Sequence, residues 1–109
     1  MGMSRGDFVT VALSGDYGKP RPALIIQADA FAALPSVTVL PLTSELHDWP
    51  LFRVTVEAEP HNGLEKRSQI MVDKAVTVPR MKIGRRIGSA DAATLCAVDA
   101  VLAKFLGLE

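Results

Sequence analysis

Short β-prone runs separated by turn-forming residues fill most of this chain, and they limit its fold more than any other feature. Each run is rich in β-branched and aromatic residues, which is typical of strands. The predicted strands cover residues 8–13, 21–27, 36–43, 52–56 and 68–74, with shorter pieces at 75–78 and 85–88. The second is apolar throughout, which predicts burial on both faces, and the alternation of the fourth predicts a half-exposed strand. Pro41 removes a donor from the third, so we expect an edge or a bulge there.

Only the end of the chain carries a helical pattern. An apolar stripe at helical spacing is formed by Leu95, Val98, Leu102 and Phe105. We expect Ser89 to cap the N-terminus of this helix, with Asp91 in its first turn and Gly107 at its C-terminal end. About five to seven short strands closed by a terminal helix predict a mainly β fold, built as a small, strongly curved sheet or barrel.

Length and composition indicate one compact domain over residues 1–109. Apolar residues make up 49% of the chain, well above the disordered range. Lysine and arginine together number 12, as do aspartate and glutamate, so net charge does not decide about nucleic acid, although a local basic face is open. No apolar run approaches the ~20 residues that span a bilayer and no signal-peptide core is present, so we expect a cytoplasmic protein without a membrane segment.

Cysteine and histidine usage argues against a metal centre. The single cysteine, Cys96, excludes an internal disulfide, and its apolar helical surroundings predict a buried, inert thiol. His47 and His61 lie in polar loops and, without cysteine partners, make a poor zinc site. The chain also lacks a glycine-rich phosphate loop, an H-E-x-x-H motif and a nucleophile elbow. We therefore expect no metal and no cofactor.

Arg21 stands between two prolines, directly before the apolar second strand. Pro22 favours an extended conformation for Arg21 and so holds its guanidinium at the mouth of a buried strand, where it can meet an anion. Pairing with a carboxylate explains it equally well. Further polar side chains lie at strand ends or in the loop before Arg21, namely Asp16, Lys19, Thr43, Ser44, Asp73 and Lys74. On the residues alone, a turn capping its own backbone explains Thr43, and a surface ion pair explains Asp73.

Six blocks, in this order along the chain, carry a resemblance to a known family. They are residues 5–9 (RGDFV), 19–27 (KPRPALIIQ), 40–44 (LPLTS), 62–64 (NGL), 68–74 (SQIMVDK) and 105–108 (FLGL). Together they resemble the MazF/PemK/Kid family of toxin endoribonucleases over essentially the whole domain. The resemblance implies an SH3-like curved β-barrel with a C-terminal helix, built as a homodimer that binds RNA in a groove made by both subunits.

The resemblance also implies roles for individual residues. Arg21 and Thr43 match the catalytic pair of the family, and Asp73 and Lys74 match residues that line the RNA groove. With them we expect Asp16, Lys19 and Ser44 to contact RNA. The implied reaction is a metal-independent, sequence-specific cleavage of single-stranded RNA by its own 2′-hydroxyl, leaving a 2′,3′-cyclic phosphate and a 5′-hydroxyl. The general acid and base are not assigned by the resemblance, because the residues present between the first two strands differ from those of relatives.

Partners follow from the same resemblance. A type II toxin causes growth arrest and is neutralised by a cognate MazE/PemI-like antitoxin. We expect the toxin to contact DNA only indirectly, through this antitoxin. Two alternatives stay open: a gyrase poison of the CcdB type and a catalytically inactive SH3-like binding module. The gyrase poisons depend on a tryptophan near the C-terminus, whereas the only tryptophan here is Trp49. In the loops, Tyr17, Trp49 and Phe52 are candidate platforms on which RNA bases stack.

Overall fold

Seven antiparallel strands and one terminal helix build the part of the chain that the structure, a computed structural model, describes: residues 3–13 and 19–109. The strands are β1 (Asp7–Ala12), β2 (Pro20–Ile25), β3 (Ser36–Thr43), β4 (Arg53–Val56), β5 (Ser68–Met71), β6 (Val76–Pro79) and β7 (Ile83–Ser89), and the helix is α1 (Ala92–Phe105). Three short 3₁₀ turns lie at Asp29–Phe31, Val72–Lys74 and Arg80–Lys82. The expected mainly β fold with a C-terminal helix is confirmed.

The strand order is β4-β5-β3-β2-β1-β7, and β6 also pairs with β3. Within the described residues no pairing joins β4, β6 and β7 to one another, so the sheet is curved but open and the expected closed barrel is not observed. Irregular register between β1 and β7, at Phe8–Val9 and Val9–Val11, adds local bends of the kind that bulges produce.

Strand β3 lies at the centre of the sheet. One edge of it pairs with β2, and the other edge pairs first with β6, up to Val39, and then with β5, from Leu42. Pro41 pairs with Ala23 inside this central strand, so the prediction that it marks a sheet edge or a bulge is wrong. The proline is tolerated because it falls where the partner on one edge changes from β6 to β5.

Two apolar clusters occupy the two faces of the central strands. Alternate residues of β1, β2 and β3 contribute Val9, Val11, Ala23, Ile25, Val37 and Val39 to one cluster. The intervening residues Phe8, Leu24, Leu40 and Leu42 join Val98 of α1 in the other. Because both faces of the sheet are covered, β2 is buried on both sides from Ala23 to Ile25, as its continuous apolar character predicts.

The terminal helix begins two residues later than expected. Asp91, not Ser89, is its N-cap, and the carboxylate accepts a hydrogen bond of 2.8 Å from the Thr94 amide. This hydrogen bond lowers the pKa of Asp91 below its ordinary value of 3.8. Ser89 is instead the last residue of β7. Gly107 follows the helix with a positive φ of 73°, as expected for a glycine at a helix C-terminus.

Cys96 is exposed, so the prediction of a buried thiol is wrong. Residues two apart lie about 200° apart around a helix, and Val98 is the position buried against the sheet. The apolar stripe is therefore narrower than its sequence suggests, and at its C-terminal end Phe105 is exposed. Among the described residues, no helix is long and apolar enough to cross a membrane.

Candidate active site

The sheet register brings Arg21 and Thr43 towards each other across neighbouring strands. Ala23 of β2 pairs with Pro41 of β3 in an antiparallel ladder. Continuing this register by two residues places Arg21 opposite Thr43, at the ends of the two strands. Since side chains two residues apart point to the same face, both lie on the face of the sheet that carries Ala23 and Pro41. The two residues that the resemblance assigns to catalysis are thus neighbours in the fold.

Two cavities meet at this pair of residues. The larger, about 670 Å³ and here called the groove, has the polar lining residues Thr10, Lys19, Arg21, Thr43, Ser44, Glu45, Glu65, Lys66, Ser68 and Arg85. The smaller, about 510 Å³, is lined by Leu13, Arg21, Pro41, Leu42, Thr43, Met71, Lys74 and Val76. Arg21, Leu42 and Thr43 line both cavities. A ligand bound to them can therefore extend into a polar space on one side and a largely apolar space on the other.

The groove is positive although the chain as a whole is neutral. Its lining carries the four cationic side chains Lys19, Arg21, Lys66 and Arg85, against the two acidic residues Glu45 and Glu65. A cleft with an excess of one sign of charge concentrates its field on a ligand of the opposite sign. The groove therefore favours an anionic ligand such as a phosphodiester chain.

Sequence reasoning missed Lys66, Arg85, Thr10 and Ser68 as groove residues. Arg85 lies in β7, and its backbone amide donates a hydrogen bond of 3.1 Å to the hydroxyl of Thr10 in β1. Lys66 precedes β5 in a charged loop. The basic pair Arg85–Arg86 is visible in the sequence, but its two side chains have different surroundings in the folded β1–β7 pair. Arg85 lines the groove, whereas Arg86 forms an ion pair with Asp7 at 3.1 Å.

Thr43 has a hydrogen bond that leaves its proton available. Its hydroxyl oxygen accepts from the backbone amide of Glu45 at 3.0 Å, so the turn expected from the residues alone is present. A threonine hydroxyl has one donor and two acceptor positions. With one acceptor position used by the backbone, the O–H remains free to donate to a ligand oxygen in the groove.

Some of the remaining predicted site residues line the two cavities and others do not. Lys19 and Ser44 line the groove, and Lys74 lines the smaller cavity. Asp16 lies outside the described residues. Asp73 lines neither cavity, because its carboxylate accepts two hydrogen bonds from Arg53, at 2.8 Å from Nε and 3.2 Å from Nη2. The strand predicted to carry Asp73 ends at Met71, and the aspartate belongs to the 3₁₀ turn that follows.

The Arg53 guanidinium also sets the charge state of Asp73. The side-chain hydrogen bonds from Arg53 hold the pKa of Asp73 below its ordinary value of 3.8, and partial burial opposes that shift without cancelling it. Arg53 itself is only 8% exposed, so the pair is largely removed from water. Within the described residues, no group of three or more His, Cys, Asp and Glu side chains could hold a metal ion.

The chain is similar to known proteins over nearly its whole length. The family described as PemK-like, MazF-like toxin of type II toxin-antitoxin system matches residues 4–106. A protein described as a probable endoribonuclease MazF, from Mycolicibacterium smegmatis, is 46% identical over 107 residues, which are 97% of this chain and 98% of that protein.

Solved structures share the fold. The Mycobacterium tuberculosis toxin MazF-mt6 matches with a TM-score of 0.82 at 28% identity, covering 94% of this chain and 98% of the other. A mycobacterial endoribonuclease in complex with its cognate antitoxin matches with a TM-score of 0.81 at 23% identity, covering 99% and 98%. The open seven-stranded sheet with its terminal helix is therefore an arrangement found in other proteins as well.

Proposed function

This chain belongs to the PemK-like, MazF-like toxins of type II toxin–antitoxin systems and is a toxin endoribonuclease; we propose that it cuts single-stranded RNA where Arg21 and Thr43 meet. The family membership expected from the sequence blocks is confirmed, and it is favoured over a gyrase poison and over an inactive binding module. The single observation that supports the proposed site is that Arg21 and Thr43 both line the cationic groove and the apolar cavity, just beyond the Ala23–Pro41 pair of β2 and β3.

The proposed reaction is a transesterification within the RNA. The 2′-oxygen of one nucleotide forms a bond to the adjacent phosphorus while the bond from phosphorus to the 5′-oxygen of the next nucleotide breaks. The 2′-hydroxyl loses a proton and the 5′-oxygen gains one, so the products are a 2′,3′-cyclic phosphate and a 5′-hydroxyl. Because the nucleophile is part of the substrate, the protein has to align the reacting atoms and stabilise charge on the phosphate oxygens.

Arg21 is suited to the charge-stabilising role. A guanidinium presents a planar fork of N–H donors that can bind two phosphate oxygens at once, and it stays protonated at any physiological pH. In the proposed complex, Arg21 binds the non-bridging oxygens as their charge grows. The free O–H of Thr43 donates to a phosphate oxygen from the neighbouring strand and so fixes the phosphate between β2 and β3.

The rest of the groove binds the RNA chain on either side of the cut. Lys19, Lys66 and Arg85 offer cations for the flanking phosphates, and Ser44 offers a hydroxyl beside Thr43. We assign Lys74, in the smaller cavity, to a phosphate on the other side. Asp16 is kept as a proposed RNA contact in the loop before β2, and Asp73 as a residue that acts on the RNA site through Arg53.

We infer that residues 1–109 act as one domain in a cytoplasmic homodimer, with each subunit contributing to the RNA-binding surface. Family membership implies a cognate antitoxin, for which an acidic segment is the natural chemistry, since it can occupy the cationic groove in place of RNA. Any contact with DNA then comes through the antitoxin. Toxin activity arrests growth when the antitoxin is absent.

The test is an assay of product ends. Purified protein is incubated with a labelled single-stranded RNA pool in EDTA, and the fragments are examined for 2′,3′-cyclic phosphate and 5′-hydroxyl ends. We expect cleavage at a short recurring motif with those ends. Fragments with 5′-phosphates, or a requirement for added Mg²⁺, would exclude the proposed reaction. Inhibition of a topoisomerase with intact RNA would identify a gyrase poison, and neither activity would identify an inactive module.

A further inference from the structure

We propose that His47 is the platform on which an RNA base next to the scissile phosphate stacks, and that Asp73 serves this contact by fixing the side chains behind it. The inference rests on the proposed function, since it concerns the same RNA. His47 lies in the loop between β3 and β4, four residues after Thr43. Its ring belongs to a stack of side chains, here called the column, formed by His47, Trp49, Phe52 and Arg53.

The His47 ring lies at the outer end of the column. The rings of His47 and Trp49 are 3.9 Å apart and within 6° of parallel, so His47 covers one face of the indole. The Arg53 guanidinium carbon is 4.9 Å from the centroid of the Trp49 ring, and the Phe52 ring stacks on Trp49 at a centroid distance of 5.6 Å. Trp49 therefore packs against three side chains, whereas His47 stacks on Trp49 alone among the described residues.

His47, in contrast, lies at the end of this stack. Its side chain is 33% exposed although Trp49 covers one of its two faces. A flat aromatic surface backed by other rings is the kind of platform on which single-stranded bases stack, whatever the base. The backing rings matter, because they hold the platform in place before RNA arrives and so reduce the entropy lost on binding.

Two sets of hydrogen bonds hold the column in position. Asp73 binds Arg53 with two hydrogen bonds, which orient the guanidinium against Trp49 and Phe52. The buried side chain of Gln69 binds the backbone of His47 twice, accepting from its amide at 3.1 Å and donating to its carbonyl at 2.7 Å. A buried glutamine and an ion pair thus fix one partly exposed loop histidine from both ends of the column.

The platform is continuous with the groove. The imidazole Nε2 of His47 is 3.3 Å from a carboxylate oxygen of Glu45, and Glu45 lines the groove beside Thr43 and Ser44. A phosphate bound by Arg21 and Thr43 therefore has a ring platform at the adjoining rim. An occupant that offers both an anion to the groove and a flat ring to His47 is a nucleotide, whose phosphate and base form one unit.

The experiment pairs abasic RNA with ring variants. Binding is measured to a 2′-O-methyl oligonucleotide containing the cleavage motif and to a set in which single bases are removed in turn. The proteins are the wild type, His47→Ala, His47→Phe and, as a matched control, His61→Ala. His61 is also an exposed loop histidine near a carboxylate, at 3.8 Å from Asp91, but it lines neither cavity. Thermal unfolding of each variant checks the fold.

We expect one abasic position to weaken binding by the wild type roughly 5- to 100-fold, the range of a lost base–aromatic stack. His47→Ala should show the same weakening with intact RNA and no further penalty at that position, because the stack is already absent. His47→Phe should keep most of the affinity, and His61→Ala should match the wild type. Cleavage by His47→Ala should show a raised KM with a smaller change in kcat.

The same binding experiment is repeated with the Asp73→Asn variant. If Asp73 fixes the column, this variant should weaken binding at the same abasic-sensitive position and not elsewhere. Abasic penalties in His47→Ala identical to those of the wild type at every position would overturn the inference while leaving cleavage intact. Failure of the wild type to bind or cut any single-stranded RNA would instead overturn the proposed function, and this inference with it.

Discussion

Replacing Asp73 with asparagine tests the structural account where it departs most from the sequence-based expectation. The family resemblance implies that Asp73 lines the RNA groove, whereas in the structure its carboxylate accepts hydrogen bonds of 2.8 and 3.2 Å from Arg53. Asparagine keeps the volume and one acceptor but removes the charge. The expected result is a loss of stability, because Arg53 is then left as a nearly buried cation without its counter-ion.

The size of that loss can be bounded. Removing one partner of a buried ion pair costs about 3–5 kcal/mol, and a hydrogen bond to a charged group contributes about 1.5–3 kcal/mol. Because asparagine retains an acceptor for Arg53 and the Asp73 side chain is 20% exposed, we expect about 2–3 kcal/mol. For a domain of this size that corresponds to a fall in Tm of roughly 10–20 °C.

The pH dependence gives a second signature with a definite sign. The pKa of Asp73 is lowered in the folded protein, so its contribution to stability is fully present above the ordinary value of 3.8 and is lost as the pH falls through the folded pKa. The difference in unfolding free energy between wild type and Asp73→Asn should be constant from about pH 7 to pH 5 and should shrink below pH 4.

The assay is urea unfolding followed by circular dichroism, at equal protein concentrations so that any association affects both proteins alike. Asp48→Asn is the matched control, since Asp48 is an exposed loop aspartate for which the described residues provide no ion pair. The reasoning is refuted if Asp73→Asn loses less than about 0.5 kcal/mol, the range of ordinary surface substitutions, or if its stability gap does not change with pH.

Three further predictions concern other parts of the molecule. Gly63→Ala should destabilise the protein far more than Gly107→Ala in the same melting experiment. Both glycines have a positive φ, but a Cβ at Gly63 would clash with the backbone carbonyl oxygen of Ile87, whereas a Cβ at Gly107 would meet nothing within 4 Å. Equal losses of stability would contradict this contact. Lys66→Ala and Arg85→Ala should each reduce the steepness of a plot of log affinity for RNA against log salt concentration by about 0.7, the value for one contact with a single-stranded phosphate. An unchanged slope would show that the replaced residue does not contact an RNA phosphate. Asp91→Ala should lower Tm while Asp91→Ser retains most of it, since serine also caps helices. The gap in Tm between the wild type and Asp91→Ala should be smaller at pH 3 than at pH 7, because the lowered pKa of Asp91 makes the contribution of its carboxylate fade as the pH falls.

Local patterns in the sequence predicted the strands well, while the assignment of Arg21 and Thr43 to catalysis came from the family resemblance and stays a prediction. The third strand was placed at its observed bounds, and the two prolines around Arg21 indicated a cation at a strand mouth. What brings Arg21 to Thr43 is the β2–β3 register, which depends on pairing between distant segments. Periodicity within a single strand does not contain that information.

The same limit explains what the sequence did not reveal. Arg53 looked like the exposed polar position of an alternating strand, and it is buried because Asp73, twenty residues later, neutralises it. Trp49 looked like an open platform, yet the rings of His47 and Phe52 and the guanidinium of Arg53 pack against it. Both outcomes follow from contacts between side chains whose segments meet only in the folded sheet.

The most direct test of the central claim is the single-turnover cleavage rate of Arg21→Ala at saturating single-stranded RNA, compared with wild type and with Arg80→Ala, whose side chain lines neither cavity. Removing a donor that stabilises developing charge costs about 100- to 1000-fold in rate. The account predicts a loss of at least that size for Arg21→Ala, with unchanged circular dichroism and near-normal rates for Arg80→Ala. A folded Arg21→Ala protein that cuts RNA within about threefold of the wild-type rate would contradict it.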